Sequence, residues 1–545
     1  MFGLMQEHKL LVSTLIEHAV NCHPDAEIVS RTVEGPIHRC TYRDIHQRAK
    51  QVANVLGALG VQRGNRVATL AWNGYRHMEL YFGVSGTGAV LHTVNPRLFP
   101  EQLEYIINHA EDTVLFFDLS FVALVEKLLP RLNTVRTFVV MTDRVHMPEC
   151  GIPGLLCYED LLAAQSDSYV WPDLDENAAT ALCYTSGTTG MPKGVLYSHR
   201  STVLHAFGAC TVDSMAVSRS ETALLVVPMF HVNAWSMPYV GAMSGAKLVL
   251  PGPALDGASV YQLLRDEQVT LALGVPTVWM MLLQHASTAG LKPIDELALR
   301  RVVIGGAAVP RAMVEAFERD FGAFVVHAWG MTEVSPMGTI CNLLPKHRSL
   351  PLDQRMQVQA KQGRAVFGVS LKLTDENGQR LPHDGQAAGH LKIRGPWVAK
   401  AYYRDEGGPI LDDEGYFDTG DVATIDTDGY MQITDRSKDV IKSGGEWISS
   451  IALENAAMGH LVIAEAAVIG IAHPKWQERP LMVVVVKPGQ TLEREAVLNY
   501  LEGRVAKWWL PDDVVFVKEL PHTATGKLLK AALREQFRDY RFPDV

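Results

Sequence analysis

Short apolar runs alternate with amphipathic segments along the first part of the chain. Residues 41–44 form a variant of the capping box, and the apolar residues that follow it at helical spacing are Ile45, Ala49, Val52, Ala53 and Leu56. Gly60 ends this predicted helix, and the next predicted strands are residues 66–71, 113–117 and 137–141. Alternation of this kind predicts an α/β chain with largely parallel sheets.

A second series of apolar runs leads into loops that contain glycine or proline. The predicted strands are residues 223–227, 248–250, 271–274, 302–304 and 323–326. Ligands of open α/β sheets lie beyond the carboxyl ends of the strands. The loops at residues 274–276, 305–308 and 327–333 are therefore candidate walls of a pocket, although structural turns have the same composition.

The pattern changes twice in the last third of the chain. Residues 343–362 are polar and irregular, which predicts an exposed connection, and the strands predicted beyond it are 370–373, 389–394 and 430–434. After the charged residues 435–439 an independent αβ pattern begins, with helices at 451–458 and 493–505 and strands at 466–471, 481–486 and 514–517. We predict a large domain at 1–434, a hinge at 435–438 and a small α+β domain at 439–545.

Composition narrows the class of protein. A chain of 545 residues exceeds one ordinary core, and 47% hydrophobic with 20% charged residues is typical of globular proteins. The net charge of −10 argues against a nucleic-acid partner, and no apolar run is long enough for an integral membrane segment. The first residues lack a signal-peptide pattern, and seven scattered cysteines without a Cys-x-x-Cys pair favour a cytoplasmic enzyme with reduced thiols.

Residues 184–194 (YTSGTTGMPKG) combine three glycines, four Ser or Thr hydroxyls and Lys193 between two strand-like runs. Glycines allow backbone N–H groups to approach an anion, and the hydroxyls and the lysine add donors and a positive charge. The spacing differs from that of a Walker P-loop, because Pro192 precedes the lysine and Gly194 follows it. A flexible surface loop is the alternative, but so dense a run of these residue types favours a polyphosphate site.

Three further positions carry candidate chemistry. In residues 327–333 an aromatic side chain can stack on a base, and the carboxylate of Glu333 can hold Mg²⁺. Asp421 closes the turn-rich residues 415–421, where it could bind a ribose diol or simply be a solvated turn residue. Lys527 lies beside a glycine in residues 520–527, where it could contact a charged intermediate or serve only solubility.

Five segments taken together resemble the adenylate-forming superfamily, which includes acyl-CoA synthetases, aryl-CoA ligases, luciferases and the adenylation domains of peptide synthetases. The segments are residues 184–194, 329–333, 415–421, 435–442 and 521–530, and the resemblance runs in order from about residue 40 to residue 530. Within the superfamily, residues 228–235, 327–333 and 442–449 are similar to medium- and long-chain fatty-acyl-CoA synthetases. The bacterial medium-chain ligases are the most similar group.

The resemblance implies a fold and a two-step reaction. The fold is a large N-terminal domain of layered parallel sheets flanked by helices, with a β-rich subdomain and a small mobile α+β C-terminal domain. A carboxylic acid attacks ATP with Mg²⁺ to give acyl-AMP and pyrophosphate, and coenzyme A then displaces AMP after the small domain has rotated. The implied partners are the acid, ATP and CoA, and a homodimer is compatible with the resemblance.

The resemblance also assigns roles to single residues. Thr185 and Glu333 would bind Mg²⁺, Lys527 would stabilise the charge of adenylation, and Lys438 would mark the hinge. The phosphates would be held by Ser186, Gly187, Thr188, Thr189, Gly190 and Lys193, and the rest of the nucleotide by Gly306, Ala307, Ala308, His327, Ala328, Trp329, Thr332, Asp421 and Arg436. The residues that would serve the acyl group or CoA are His231, Val232, Trp235, Lys442, Gly445, Glu446 and Trp447.

Some features leave alternatives open. Trp329 stands where many relatives have Tyr, and His327-Ala328 where many have Gln-Gly, and both changes are compatible with stacking on adenine. Trp235 resembles a gate of the fatty-acid tunnel but could be a core residue. Residues 229–240 contain no acid, which disfavours an amino-acid substrate.

The favoured substrate is a medium-chain fatty acid. The alternatives are long-chain, methylmercaptopropionate-like or aryl-propenoic acids, delivery of an acyl-adenylate to a carrier protein, and a non-catalytic acyl-adenylate binder.

Overall fold

The computed structural model describes residues 1–185, 191–444, 446–522 and 528–543, and it describes Glu446 by its backbone only. The strands of this part of the chain, in order, are β1 (Glu27–Arg31), β2 (Ile37–Thr41), β3 (Arg66–Leu70), β4 (Val90–Thr93), β5 (Asp112–Phe117), β6 (Thr137–Val140), β7 (Leu156–Cys157), β8 (Ala179–Tyr184), β9 (Gly194–Ser198), β10 (Thr222–Leu225), β11 (Lys247–Leu250), β12 (Leu271–Gly274), β13 (Arg301–Ile304), β14 (Phe324–Gly330), β15 (Met337–Ile340), β16 (Arg364–Ala365), β17 (Ser370–Thr374), β18 (Gly389–Arg394), β19 (Phe417–Ile425), β20 (Met431–Arg436), β21 (Ile441–Ser443), β22 (Glu446–Ile448), β23 (Ile463–His473), β24 (Gln477–Val486) and β25 (Asp513–Phe516).

The helices are, in order, α1 (Val12–Cys22), α2 (Tyr42–Ala58), α3 (Tyr75–Gly86), α4 (Pro100–Ala110), α5 (Val122–Leu128), α6 (Tyr158–Ala163), α7 (His199–Cys210), α8 (Met237–Ser244), α9 (Gly257–Asp266), α10 (Pro276–Thr288), α11 (Pro293–Glu296), α12 (Arg311–Asp320), α13 (Pro345–Arg348), α14 (Leu352–Gln359), α15 (Ser450–Met458), α16 (Arg494–Leu501) and α17 (Lys530–Gln536). Among the described residues, no helix has the length and apolar character needed to cross a bilayer.

Two large sheets carry the first two thirds of the chain. One has seven strands in the order β7-β6-β5-β3-β4-β8-β9, and the other has nine in the order β16-β15-β14-β13-β12-β10-β11-β1-β2. The interior pairs, such as β3–β4 and β12–β13, are parallel, whereas β8–β9, β1–β2 and β14–β15 are antiparallel. The prediction of an α/β fold with largely parallel sheets is confirmed.

Helices shared by the two sheets form the largest apolar core. It includes Leu91 of β4 and Leu248 of β11, together with Tyr81 of α3 and residues of α1, α2, α7 and α8. Helices α2 and α3 approach so closely that a Cβ on Gly83 would lie 2.5 Å from a methyl carbon of Val52. Helix α2 begins at the predicted capping box, with Thr41 and Asp44 each bonding the other's backbone N–H. This layer fixes the position of one sheet against the other.

Two smaller sheets complete the described structure. The antiparallel sheet β17-β18-β19-β20 ends at Arg436, and the sheet formed by β21 to β25 begins at Ile441. Residues 437–440 therefore connect two separate sheets. The predicted domain limits and the hinge at 435–438 remain predictions.

A buried charged network joins the first of these sheets to helices α15 and α17, which pack on β23 of the second. Asp435 at the end of β20 accepts hydrogen bonds of 2.6 Å from the N–H and the hydroxyl of Ser450. The ammonium of Lys530 donates to the same hydroxyl and lies 2.7 Å from Glu454. Burial disfavours the charge on Lys530, but the attraction of Glu454 and Asp435 prevails and raises the pKa of this lysine.

Three local predictions were wrong. Residues 343–362 contain α13 and α14 instead of an irregular connection, because Met356 of α14 is buried in the apolar core that also contains Phe317 of α12. Helix α16 ends at Leu501, before Gly503 with a φ of +74°, and does not reach residue 505. Asp421 lies inside the strand β19 and does not close a turn, although Gly420 before it has a φ of +70°.

Replacing Lys530 by Met tests the charged network. The substitution keeps the aliphatic volume but leaves Glu454 buried without its cation, which should destabilise residues 441–543 by about 3–5 kcal/mol. Hydrogen exchange of this part of the chain during chemical denaturation measures the change. The matched control, Lys530→Met with Glu454→Leu, should recover much of the loss, and equal unfolding midpoints for the wild type and Lys530→Met would contradict the assignment.

Candidate active site

The phosphate-loop stem, defined as Thr185 and Lys193, lies where β8 passes into β9. The N–H of Thr185 donates to the carbonyl of Lys193 at 2.9 Å, and the N–H of Lys193 donates to the Thr185 hydroxyl at 3.0 Å. The predicted phosphate residues Ser186, Gly187, Thr188, Thr189 and Gly190 lie outside the described residues. The stem therefore fixes both ends of the loop at the carboxyl end of β8, as expected of a ligand loop in an α/β sheet.

Thr332 and Glu333 lie beside β9, the strand that follows this stem, although they come after a strand of the other large sheet. The hydroxyl of Tyr197 in β9 donates to the carbonyl of Thr332 at 2.6 Å, and both residues are buried. The carboxylate of Glu333 is also buried and accepts a 2.7 Å hydrogen bond from the hydroxyl of Tyr402. The ring of Tyr402 in turn makes a cation–π contact with the ammonium of Lys193, which lies 4.7 Å from the ring centroid. The structure thus brings two predicted site residues, Lys193 and Glu333, onto one tyrosine.

Sequence reasoning missed Tyr402. It lies about seventy residues after Glu333, in residues 395–416 between the strands β18 and β19. A pair of tyrosines in a polar connection has no spacing that points to a distant carboxylate. Only the folded chain shows the contact.

Trp329, Asp421 and Arg436 form a second cluster. The indole N–H of Trp329 donates to one oxygen of Asp421 at 3.0 Å, and Arg436 lies 2.9 Å from the other oxygen. Asp421 is only 2% exposed, and the pairing of β19 with β20 places it opposite Arg436. One side of the Trp329 ring packs on Gly338, where an added Cβ would lie 2.3 Å from the ring carbon Cζ3 of Trp329. The observed role of this tryptophan is therefore to hold Asp421, and its stacking on adenine remains a prediction.

The residues expected around adenine come from β14 and the loop after β13. Strand β14 extends through Gly330, so His327, Ala328 and Trp329 lie in a strand and not in the loop predicted for them. Gly306, Ala307 and Ala308 follow β13, and Gly306 has a left-handed φ of +84° that favours glycine.

His327 is a neutral side chain in this environment. Burial lowers its pKa to about 4, although backbone groups that include the carbonyl of Ala360 partly oppose this shift. Because Nδ1 lies 3.1 Å from that carbonyl oxygen, Nδ1 carries the proton and Nε2 is the acceptor. The histidine is therefore uncharged at neutral pH, and its contact with a nucleotide remains a prediction.

The predicted acyl-binding residues lie in an unusual left-handed turn. Five consecutive residues in Val232–Ser236 have φ between +47° and +63°, and none of them is glycine. The amide oxygen of Asn233 lies 3.3 Å from both the Tyr81 hydroxyl and the Cys183 sulfur, which anchors the turn to α3 and β8. Trp235 is half-buried, with its ring next to Gly305. His231 precedes the turn as its N-cap residue.

The described residues expected to serve the CoA step lie in β21 and β22, and their side chains contact residues of the four-stranded sheet or its loops. The ammonium of Lys442 pairs with Glu376 at 2.9 Å, and the ring of Trp447 contacts His390. Lys438 is exposed. Lys527 and Gly445 lie outside the described residues, as does the side chain of Glu446. Their roles remain predictions.

The donors available for a metal are few. Within the residues that the structure describes, no group of three His, Cys, Asp or Glu side chains is placed to hold a metal. Mg²⁺ bound with a nucleotide takes most of its ligands from phosphate and water and needs only one or two protein oxygens. Glu333 and Thr185 each offer an oxygen of the kind that such a metal takes, and their role as its ligands remains a prediction.

Comparison with known proteins places this site in a family. Residues 16–403 match the profile described as AMP-binding enzyme, and residues 452–527 match that of the AMP-binding enzyme C-terminal domain. The chain belongs to the AMP-binding enzyme family. The resemblance to the adenylate-forming superfamily is confirmed.

Relatives in this family match almost the whole chain. The 3-methylmercaptopropionyl-CoA ligase of Ruegeria pomeroyi is 52% identical, with 99% of both chains covered. The medium-chain-fatty-acid–CoA ligase of Ectopseudomonas oleovorans is 49% identical, with 99% of this chain and 98% of the relative covered. The crystal structure of ATP-bound MatB from Rhodopseudomonas palustris has a TM-score of 0.82 at 26% identity, covering 98% of this chain and 99% of the other.

Replacing Trp329 by Phe tests the second cluster. Phe keeps an aromatic ring but removes the N–H that Asp421 accepts, so the carboxylate loses orientation and ATP affinity should fall by about tenfold, equivalent to about 1.4 kcal/mol. Calorimetric titration with ATP measures the change. Trp397→Phe is the matched control, because its buried N–H donates to the carbonyl of Met337, outside this cluster. An equal loss of ATP affinity in both variants would contradict the role of Trp329.

Proposed function

We propose that this protein is an ATP-dependent acyl-CoA ligase that activates a medium-chain fatty acid as acyl-AMP and then forms acyl-CoA and AMP. The ligase chemistry is carried by family membership together with two acyl-CoA ligases that are about half identical over nearly the whole chain. The cluster of Lys193, Tyr402 and Glu333 supports it, because it offers a cation and a carboxylate at the stem of the phosphate loop.

Adenylation requires charge to be managed at the α-phosphorus of ATP. The acid's carboxylate attacks this phosphorus, and the bond to the departing pyrophosphate breaks. We assign Lys193 to the phosphates, Thr185 and Glu333 to the metal, and Lys527 to the charge that develops in this step. Mg²⁺ bound with ATP supplies neutralisation of the phosphate charge. No covalent bond to the protein is required, so positioning and charge stabilisation account for the catalysis.

The thioester step needs different donors in the same cleft. The CoA thiol attacks the acyl carbonyl of acyl-AMP, and AMP leaves. We assign this step to Lys442, Gly445, Glu446 and Trp447, which would reach the cleft after rotation about Lys438. Rotation of a small domain is a known way to present two sets of residues to one bound intermediate.

An apolar tail is the substrate feature that the chain supports best. Residues 229–240 contain no acid, and Met229, Phe230 and Val232 are buried there. A second candidate, 3-methylmercaptopropionate, is favoured by the relative of that specificity at 52% identity. Both acids present a flexible apolar chain, because a thioether sulfur replaces a methylene with little change in polarity.

The proposal includes a cytoplasmic location and a homodimer. The location is supported by the seven cysteines, all of which are free in the structure, as expected in a reducing compartment. The homodimer rests on the resemblance to adenylate-forming enzymes, and light scattering of the purified protein tests it.

A panel of acids tests the substrate. With ATP, Mg²⁺ and CoA, kcat/KM should rise by about fourfold per methylene, the factor for about 0.8 kcal/mol of apolar burial, and reach its maximum at about six to ten carbons. Acyl-CoA and pyrophosphate are both measured. Pentanoate is the matched control for 3-methylmercaptopropionate, because it replaces the sulfur with a methylene. A sharp preference for the thioether reassigns the substrate, and pyrophosphate without any acyl-CoA contradicts the ligase.

Substitution of two lysines separates the half-reactions. Lys527→Ala should slow acyl-AMP formation by about 10²–10³-fold, since it removes charge stabilisation, and should leave thioester formation from supplied acyl-AMP intact. Lys442→Ala should leave acyl-AMP formation intact and should slow thioester formation from supplied acyl-AMP. Pyrophosphate release and acyl-CoA are measured separately, and Lys518→Ala, an exposed lysine of the same region, is the control. Unchanged pyrophosphate release in Lys527→Ala would refute its assignment.

A further inference from the structure

The segment of residues 402–407 lies across the phosphate-loop stem. Its first residue, Tyr402, contacts both Lys193 and Glu333. Its second, Tyr403, packs on Gly194, the residue after the stem, because a Cβ on Gly194 would lie 2.9 Å from the Tyr403 Cβ. The two contacts place this segment beside Lys193 and Glu333, the side chains proposed to contact phosphate and metal.

Contacts at its far end hold the 402–407 segment in place. Glu406 accepts a 2.8 Å hydrogen bond from the hydroxyl of Tyr105 and lies 3.3 Å from the ring nitrogen of His109. The same histidine reaches the hydroxyl of Tyr184 at 2.7 Å through its other nitrogen. Since Tyr184 directly precedes Thr185, the segment and the loop stem share one anchor in α4.

We propose that Tyr402 is a positioning residue for the ATP half-reaction, its hydroxyl orienting the Glu333 carboxylate and its ring seating the Lys193 ammonium. The inference rests on the proposed function, because it takes Glu333 as a ligand of the metal and Lys193 as a phosphate contact. Tyr402 acts through these two side chains.

The hydroxyl has a defined task. A carboxylate has two oxygens, and the bond from Tyr402 engages Oε1 of Glu333. Such a charge-assisted hydrogen bond fixes the plane of the carboxylate and so the direction in which the second oxygen points.

The ring has a separate task. An ammonium over the face of a tyrosine is attracted by the ring quadrupole, and Lys193 is 4.7 Å from the ring centroid. A lysine side chain has several rotatable bonds, so a fixed position before ATP binds lowers the entropy lost on binding. One side chain thus orders an anion and a cation that come from different sheets.

Two substitutions at this position separate the tasks. Tyr402→Phe removes the hydroxyl and keeps the ring, whereas Tyr402→Leu removes both. Tyr403→Phe is the matched control, since it removes a hydroxyl one residue away that does not contact Glu333. Thermal melting of all three variants shows whether each is folded.

The readout is nucleotide binding without an acid substrate, measured by calorimetry with ATP alone in EDTA and with ATP plus Mg²⁺. Tyr402→Phe should bind ATP in EDTA as tightly as the wild type does. The factor by which Mg²⁺ increases ATP affinity should be about threefold to tenfold smaller in Tyr402→Phe than in the wild type. Tyr402→Leu should in addition bind ATP about threefold to tenfold less tightly in EDTA. The KM for the acid should not change in Tyr402→Phe, whereas the KM for MgATP should rise.

Some results would overturn the inference. The inference fails if Mg²⁺ increases the ATP affinity of Tyr402→Phe as much as that of the wild type. It also fails if Tyr403→Phe loses as much of this Mg²⁺ effect as Tyr402→Phe does. If Tyr402→Leu does not fold, Tyr402→Phe alone decides the matter. The test is independent of the proposed function, because a wild type that binds MgATP but forms no acyl-CoA refutes the ligase while the binding data still decide on Tyr402.

Discussion

The hydrogen bond from Tyr197 to the carbonyl of Thr332 joins the two large sheets where the candidate site lies. Tyr197 belongs to the strand that leaves the phosphate loop, and Thr332 follows the last parallel strand of the other sheet. Neither sheet holds both the loop stem and Glu333, so the site exists only where the two carboxyl-terminal edges meet. Both partners are buried, so loss of the acceptor would leave the Tyr197 hydroxyl as a buried donor without a hydrogen bond and would lower the stability of the fold.

Charged side chains in the interior of this protein are stabilised in two different ways. Where the two smaller sheets meet, Lys530 is paired with Glu454, and the buried Asp435 accepts hydrogen bonds from Ser450. At the candidate site, Glu333 and Lys193 do not bond each other directly but share a neutral tyrosine. A direct ion pair would compete with the substrate for both groups, whereas a tyrosine leaves their net charges available to a phosphate and a cation.

Much of the fold could be predicted because its strands are short, apolar and buried in parallel sheets, as in β12, where every residue is buried. The predicted site segments also proved to lie near one another, since Trp329, Asp421 and Arg436 share one cluster. The errors arose where tertiary contacts override local pattern. The end of β14 gains its strand conformation from β15, a partner that follows later in the chain, and Asp421 follows a glycine typical of turns. The role of Tyr402 depends on contacts across about seventy and two hundred residues, which no local period encodes.

The left-handed turn at Val232–Ser236 has a consequence for how the protein assembles. A left-handed helical conformation costs roughly 1–2 kcal/mol per residue, so the five residues together cost roughly as much as the net stability of a whole domain. The isolated segment would not adopt this shape. It requires Asn233 to find Tyr81 and Cys183, which belong to elements formed by the first two hundred residues. The turn that carries the predicted acyl-binding residues Val232 and Trp235 is thus imposed on its own sequence by the surrounding scaffold.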